Sequence, residues 1–290
     1  MNRPYAEVIG DPIAHSKSPL IHNFWLQKSG IDAQYRACHV RPNELADYFA
    51  NRQQDPNWRG CNVTIPHKES VCSYLDQIDD KAISIGAVNT VVFYASGKGR
   101  LMGFNTDIGG FIEPLNHFIN QSANNDSSAI IIGAGGAARA IAFSLWHRGY
   151  KLQIANRDRN RARAIADFVA QNQSHEIATP SIDQLAMLSL GPLSYQPPNL
   201  ALIVNASTMG MVNVDPLIVD LKHIDPKVLV YDIVYKPLET NLLSQAHQYG
   251  LRTIDGLQML VGQAAEAFEL FFGQPAPRNF DDELRALLIK

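Results

Sequence analysis

Two residues in this chain have the chemistry to move a proton. Lys68 stands near the end of "GCNVTIPHKES" (60–70) and Asp107 closes "GFNTD" (103–107). An ammonium steadied by a carboxylate can give a proton to an oxygen on which negative charge is growing, or take one back. No cysteine, zinc-ligand set or Tyr-x-x-x-Lys pair offers itself for the same task. Ser16 and Ser18 lie two apart in "GDPIAHSKSP" (10–19), where paired hydroxyls suit a substrate carboxylate. Val63 and Ile65 alternate with Asn62 and Thr64, so an extended run puts an amide, a hydroxyl, Pro66 and Lys68 along one face and apolar side chains on the other. Asn89 in "GAVNT" and Gln263 in "MLVGQAAEAF" are amides on otherwise apolar segments, costly unless hydrogen-bonded.

Each of these has a plainer reading. Lys68 suits a surface lysine early in a helix, and Asp107 a cap for a helix beginning at Ile108. Ser18 ahead of Pro19 makes a good helix start. The polar face over 62–68 can look at bulk water, and the two amides can find partners inside the protein.

The second set of candidates is nucleotide-binding. "IIIGAGGAARA" (130–140) is a buried strand running through glycines into an alanine-rich helix. Gly133, Gly135 and Gly136 allow a tight turn and close backbone approach, and the helix then presents free N–H groups to a pyrophosphate. Ala138, where a third glycine is usual, is small enough for close helix–strand packing. At the end of the following strand, "QIANRDRNR" (153–161) places Asn156 and Arg157 where an NAD site carries an acidic residue. A guanidinium stacks on adenine and pairs with a 2′-phosphate, which favours NADP. Arg161, four residues on, is expected on the same helix face as Arg157. Asp158 opposes this, because a carboxylate repels a phosphate.

The elements that must position these residues follow from pattern. Strand-like runs alternate with helical periodicity, predicting an α/β architecture with mainly parallel sheets. Strands are expected at 5–10, 33–40, 60–64, 200–206, 228–235 and 251–254, and a hairpin at 87–104. Helices are expected at 19–30, from about Asn43, from Asp107 to about Ile119, and from Gly256 onward. Polar stretches at 120–128 and 191–199 read as turn or loop. The chain divides into a first domain, 1–105 joined by 256–290, and a second, 106–255.

Composition bounds the rest. The 290 residues are 46% hydrophobic and 18% charged, with a net charge of −3, so the chain is globular and carries no basic tract for nucleic acid. The N-terminus lacks a signal-peptide core, and no apolar run approaches membrane-span length. Three cysteines without ligand spacing suggest neither disulfides nor a metal site. A cytoplasmic protein is expected.

The motifs "GDPIAHSKSP", "NVTIPHK", "GAVNT", "GFNTD", "GAGGAAR", "NR" and "DGLQMLVGQAA" occur in the order found in shikimate dehydrogenases, and the resemblance spans nearly the whole chain. It implies an N-terminal substrate domain, a Rossmann-type NADP domain, and C-terminal helices returning to the first. It implies reduction of 3-dehydroshikimate to shikimate with NADPH, in aromatic amino-acid biosynthesis, by a monomer or homodimer. By the same resemblance Ser16 and Ser18 hold the substrate carboxylate. Asn62, Thr64, Asn89 and Gln263 hold ring oxygens with Tyr235 nearby, and Lys68 and Asp107 are the catalytic pair. Gly133, Ala134, Gly135, Gly136, Ala137, Asn156, Arg157, Arg161 and Gly256 fall on the cofactor side. Asp158 stands where the biosynthetic enzymes often carry Thr, which keeps an NAD-linked quinate/shikimate dehydrogenase as the alternative. A non-catalytic NADP sensor and a methylene-tetrahydrofolate-type dehydrogenase are the more distant ones.

Overall fold

A computed structural model describes residues 3–95, 99–118, 127–170, 177, 179 and 197–290. The polar stretch at 120–128, the loop at 191–199 and the tip of the predicted hairpin lie wholly or largely outside these residues, and the helix predicted to reach about Ile119 ends at Leu115 in a turn over 116–118. The chain forms two compact units, Met1–Gly110 with Val261–Lys290, and Phe111–Leu260.

The first unit is built on a six-stranded sheet. Its strands are β1 (Tyr5–Gly10), β2 (Gln34–His39), β3 (Trp58–Val63), β4 (Gln77–Ile78), β5 (Thr90–Tyr94) and β6 (Arg100–Phe104), in spatial order β2-β1-β3-β5-β6-β4. Pairing is parallel on both sides of β1, and antiparallel where β5 meets β3 and β6. Its helices are α1 (Ser18–Ser29), α2 (Leu45–Arg52) and α3 (Asp80–Ile85), and α4 (Asp107–Leu115) begins in it. α1 stops at Gly30, whose φ of +66° is left-handed backbone that glycine adopts without a Cβ penalty. Period-two alternation decides what each face carries. Tyr5, Ile9, Cys61, Val63 and Val91 pack with Tyr48 and Phe49 of α2 in one core cluster. The other face carries Asn62 and Tyr35, and it too is covered, by an aromatic group of His22, Trp25, Phe268 and Phe271.

β2 and β3 flank β1 on opposite sides, so the crossovers through α1 and α2 run in opposite directions. Right-handed connections then place those helices on opposite faces and leave a crevice beyond the carboxyl ends of β1 and β3. "GDPIAHSKS" and "TIPHK" are the segments that leave those two ends.

The second unit holds a five-stranded, wholly parallel sheet. β7 (Ser128–Ile132), β8 (Lys151–Ala155), β9 (Leu200–Asn205), β10 (Leu229–Asp232) and β11 (Arg252–Ile254) lie in the order β11-β10-β9-β7-β8. Ile130 and Ile132 face one core cluster while Ala129 and Ile131 face another, so both faces are buried and the strand reads as a continuous apolar run. The helices α5 (Gly136–Trp146), α6 (Arg159–Val169) and α7 (Asn241–Gln248) belong to this unit, and α8 (Gly256–Phe272) begins in it. α9 (Asp281–Leu288) completes the first unit. Among the described residues no helix is long and apolar enough to cross a membrane.

Candidate active site

The crevice of the first unit is assembled by backbone pairing. Thr64 N donates to Ile9 O and Asp11 N to Ile65 O, tying the segment after β1 to the segment after β3. Gly10 sits between them, where a Cβ would lie 2.6 Å from Thr64 Cγ2 and 2.9 Å from Ile65 O, so no larger residue fits. β3 ends at Val63, and a turn closed by His67 N on Thr64 O follows. The alternation predicted through to Lys68 therefore fails after Val63, and Ile65 is 55% exposed instead of joining the apolar face. The fully buried His67 ring reaches Val40 O through Nε2 at 2.7 Å and anchors the turn.

Beyond the turn, Lys68 O accepts from Val88 N at 2.8 Å, which ties the lysine to the "GAVNT" segment on the other arm of the site. Lys68 Nζ donates to Asp107 Oδ2 at 2.5 Å, with the two side chains 15% and 5% exposed. Asn89 Nδ2 donates to the other carboxylate oxygen, Oδ1, at 2.9 Å. The plainer reading of Asp107 as a helix cap gives way, because its oxygens go to Lys68 and Asn89 while Asn105 Oδ1 accepts from Asp107 N at 3.1 Å. Asn105 Nδ2 in turn donates to Ala87 O, and Thr106 N donates to Asn89 Oδ1 at 2.8 Å. "NTD" is thus a cap-and-turn motif that aims a carboxylate.

Ser18 is the first residue of α1 and is buried; Lys17, not Ser18, occupies the cap position, so the helix starts one residue earlier than predicted. Ser16 Oγ accepts from Ser18 N at 3.3 Å. Gln263, half-buried, lies on the α8 portion that belongs to this unit. Asn62 is buried and hydrogen-bonded within the unit. Its Oδ1 accepts from Tyr35 OH at 2.5 Å and its Nδ2 donates to Thr90 Oγ1 at 2.9 Å and Asn89 O at 3.3 Å, all in the interior. Asn89 is equally engaged, with Thr106 as well as Asp107 on its Nδ2. Tyr35, Thr90, Asn105 and Thr106 are absent from the sequence candidates. Thr90 carries a signal, a hydroxyl beside the core valines of β5, whereas Tyr35 stands on a strand whose other positions are mostly exposed.

In the second unit the switch point lies between β7 and β9, which diverge to β8 and β10. Gly133 follows β7 with φ +121°, and a Cβ there would stand 2.6 Å from Ala206 O beyond β9. Gly135, the extended residue at the cap position just before α5, has no side chain to cap the helix, and a Cβ on it would meet nothing within 4 Å. The first-turn N–H groups after it have no intrahelical acceptor, and the open space above them suits a pyrophosphate with Ala134 and Ala137 alongside. α6 begins at Arg159, because Asp158 is its N-cap and accepts from Asn160 N at 2.9 Å. Arg157 therefore precedes the helix and does not share a helical face with Arg161, contrary to what the spacing predicts; both are exposed. Asn156 Nδ2 donates to Asp158 O at 3.0 Å. The Asp158 carboxylate is turned onto a helix amide, which accounts for its presence beside Arg157 without a role toward a ribose. Gly256 opens α8 against Ile233 O and Val234 O, both too close for any Cβ. Tyr235, half-buried, follows that same segment. Asp232, at the end of β10, accepts from Asn205 Nδ2, Val234 N and Thr240 Oγ1 and so braces the loops after β9 and β10.

Comparison with known proteins agrees with this layout. The family model described as shikimate dehydrogenase substrate binding domain matches residues 8–91. That of shikimate / quinate 5-dehydrogenase matches 118–188, and that of the shikimate 5'-dehydrogenase C-terminal domain matches 256–279. A shikimate dehydrogenase (NADP(+)) of Sphingopyxis alaskensis is 46% identical over 288 residues, covering 99% of this chain and 97% of its own. A crystal structure of a shikimate dehydrogenase in complex with NADP+ superposes with a TM-score of 0.87 at 33% identity, covering 99% of this chain and 96% of that one. The shikimate 5-dehydrogenase of Thermus thermophilus, solved with NADP(H) and shikimate, gives 0.81 at 31% identity over 98% and 99%.

Proposed function

The chain belongs to the shikimate dehydrogenase family, and from that premise we propose that it catalyses the reversible NADPH-dependent reduction of 3-dehydroshikimate to shikimate, with Lys68 and Asp107 as its proton-handling pair. The observation that carries the reading is the contact between Lys68 Nζ and Asp107 Oδ2 in a mostly buried setting. NADPH supplies the hydride; everything else falls to the chain's own residues. Negative charge grows on the substrate oxygen as the carbonyl is reduced, and the Lys68 ammonium neutralises it and donates the proton. Asp107 holds that ammonium in place and has a carboxylate to offer a substrate hydroxyl. Asn89 fixes the carboxylate's second oxygen. The hydroxyls of Ser16 and Ser18 suit the substrate carboxylate, and Thr64, Gln263 and Tyr235 suit the ring oxygens.

On the cofactor side, Gly133 to Ala137 suit the pyrophosphate, and Gly256 belongs with them. Asn156, Arg157 and Arg161 suit the adenosine 2′-phosphate. We take the working form to be a cytoplasmic monomer or homodimer that acts on a small molecule and engages neither nucleic acid nor membrane. The test is a spectrophotometric assay of shikimate and quinate, each with NADP+ and NAD+. Shikimate with NADP+ should give the highest kcat/KM; preference for quinate with NAD+ would overturn the proposal.

A further inference from the structure

The interior of the first unit holds a line of polar side chains that leads to Asp107 and whose first three members proton transfer itself does not employ. Tyr35 OH donates to Asn62 Oδ1 at 2.5 Å, and Asn62 Nδ2 donates to Thr90 Oγ1 at 2.9 Å. Thr90 Oγ1 donates to Asn89 Oδ1 at 3.0 Å, and Asn89 Nδ2 donates to Asp107 Oδ1 at 2.9 Å. The line crosses β2, β3 and β5 and ends at the first residue of α4. All five residues are buried. Buried polar groups are tolerated only when satisfied, so five in a row mark a network whose members depend on one another.

The direction of the line follows from donor counting. Amide orientation is decided by its partners, and Asn62 Nδ2 also faces Asn89 O, a carbonyl that only accepts. The Asn62 amide is thereby locked with its oxygen toward Tyr35. Burial pushes the Tyr35 hydroxyl well above the usual tyrosine range, so it remains a donor. Thr90, receiving a hydrogen from Asn62, gives its single hydrogen to Asn89 Oδ1. Asn89 Oδ1 also accepts from Thr106 N at 2.8 Å, so its oxygen lies toward Thr90 and Thr106 and its nitrogen toward the carboxylate. Tyr35 is itself clamped: its ring stacks on His22 at 4.0 Å and 4°, and its backbone N–H and C=O are both engaged by the Asn23 amide.

We propose that Tyr35, Asn62 and Thr90 are positioning residues, a one-way chain of donors that acts with Thr106 N to hold Asn89 and through it sets the Asp107 carboxylate against the Lys68 ammonium. This deepens the dehydrogenase reading and rests on it. It assigns to Asn62 a task inside the protein, and gives roles to two residues with no part in the chemistry.

Three variants test it with shikimate and NADP+. Thr90→Val keeps the shape and removes the hydroxyl, Thr90→Ser restores the hydroxyl, and Tyr35→Phe removes the distal donor while leaving the ring on His22. Thr90→Val and Tyr35→Phe should lower kcat by roughly 3- to 30-fold with KM for shikimate within about twofold, and Thr90→Ser should recover most of the loss. If Thr90→Val fails to fold, Tyr35→Phe decides by the same split of kcat from KM. Parent-like kcat in the hydroxyl-deleted variants overturns the proposal, as does an equal loss in Thr90→Ser and Thr90→Val. A parent protein that turns over no shikimate overturns the dehydrogenase reading and this inference with it; an active parent with indifferent variants overturns only the inference.

Discussion

Lys68 Nζ and Asp107 Oδ2 meet at 2.5 Å across 39 positions of sequence, because the segment around Asn89 holds both arms. Val88 N grips Lys68 O on one side, and Asn89 N grips Phe104 O on the other. The pairing of the dyad is therefore a property of how the ends of β3, β5 and β6 are held together and not of either loop alone. Lys68→Ala should lower kcat by about 10²–10⁴-fold, the usual worth of a positioned general acid. Shikimate affinity, measured by calorimetry, should change far less. Near-normal turnover would remove Lys68 from the mechanism.

Cofactor choice is expected to reside in Arg157. Arg157→Ala should lower kcat/KM for NADP+ by roughly 10- to 100-fold through loss of a charge-assisted contact to the 2′-phosphate, and leave NAD+ nearly unchanged. Asp158→Ala removes the α6 cap and should cost about 0.5–2 kcal/mol in stability without creating a preference for NAD+. An equal fall with both cofactors in Arg157→Ala would argue against a 2′-phosphate role.

Two glycines of one motif should behave differently. Gly133→Ala forces a Cβ to within 2.6 Å of Ala206 O at φ +121°, so it should lower the urea midpoint by an amount equivalent to about 1–3 kcal/mol. Gly135→Ala meets only open space and should fold as the parent does, with the loss appearing in KM for NADP+. A stable Gly133→Ala protein would contradict the close packing of the switch point.

Asp232 offers a stability test with a definite sign. Burial pushes its carboxyl up from 3.8 to about 6, against the pull of hydrogen bonds from Thr240, Val234 and Asn205. The native state thus holds a proton that the unfolded chain releases, so the favourable contribution is complete below about pH 4 and is lost as pH rises to about 6. A displacement of that size corresponds to about 3 kcal/mol. The unfolding free energy of the parent minus that of Asp232→Asn should fall by about 2–3 kcal/mol across this window. A flat difference from pH 4 to 6 would show that Asp232 is not protonated in the native state.

Features with local signals are legible in the sequence. Gly30 ending α1, the β5–β6 hairpin and the glycine turn after β7 each follow from a few adjacent residues whose backbone demands are specific. Lys68 and Asp107 stand out by chemical type and by their place between strands and helices. What escapes depends on neighbours far along the chain. The side of the sheet that Asn62 occupies follows from its alternation with Val63, but not that Tyr35, two strands away, lies over it. Ile65 leaves the predicted face because the turn closed by His67 N on Thr64 O begins there, which no residue in "NVTIP" announces except Pro66. Arg157 and Arg161 share a face only if the helix already runs between them, and Asp158, as the cap, starts it too late.

The first unit is made of two stretches separated by the whole of the second. During synthesis His22, Trp25 and Tyr35 leave the ribosome long before Phe268 and Phe271, the α8 rings that pack on them. The second unit, one continuous stretch, has everything it needs to fold first. Until α8 arrives, the aromatic face beneath Tyr35 stands open, so the earliest-made part of the substrate side is the last to be finished. A nascent chain stalled before Val261 would be the form most in need of a chaperone.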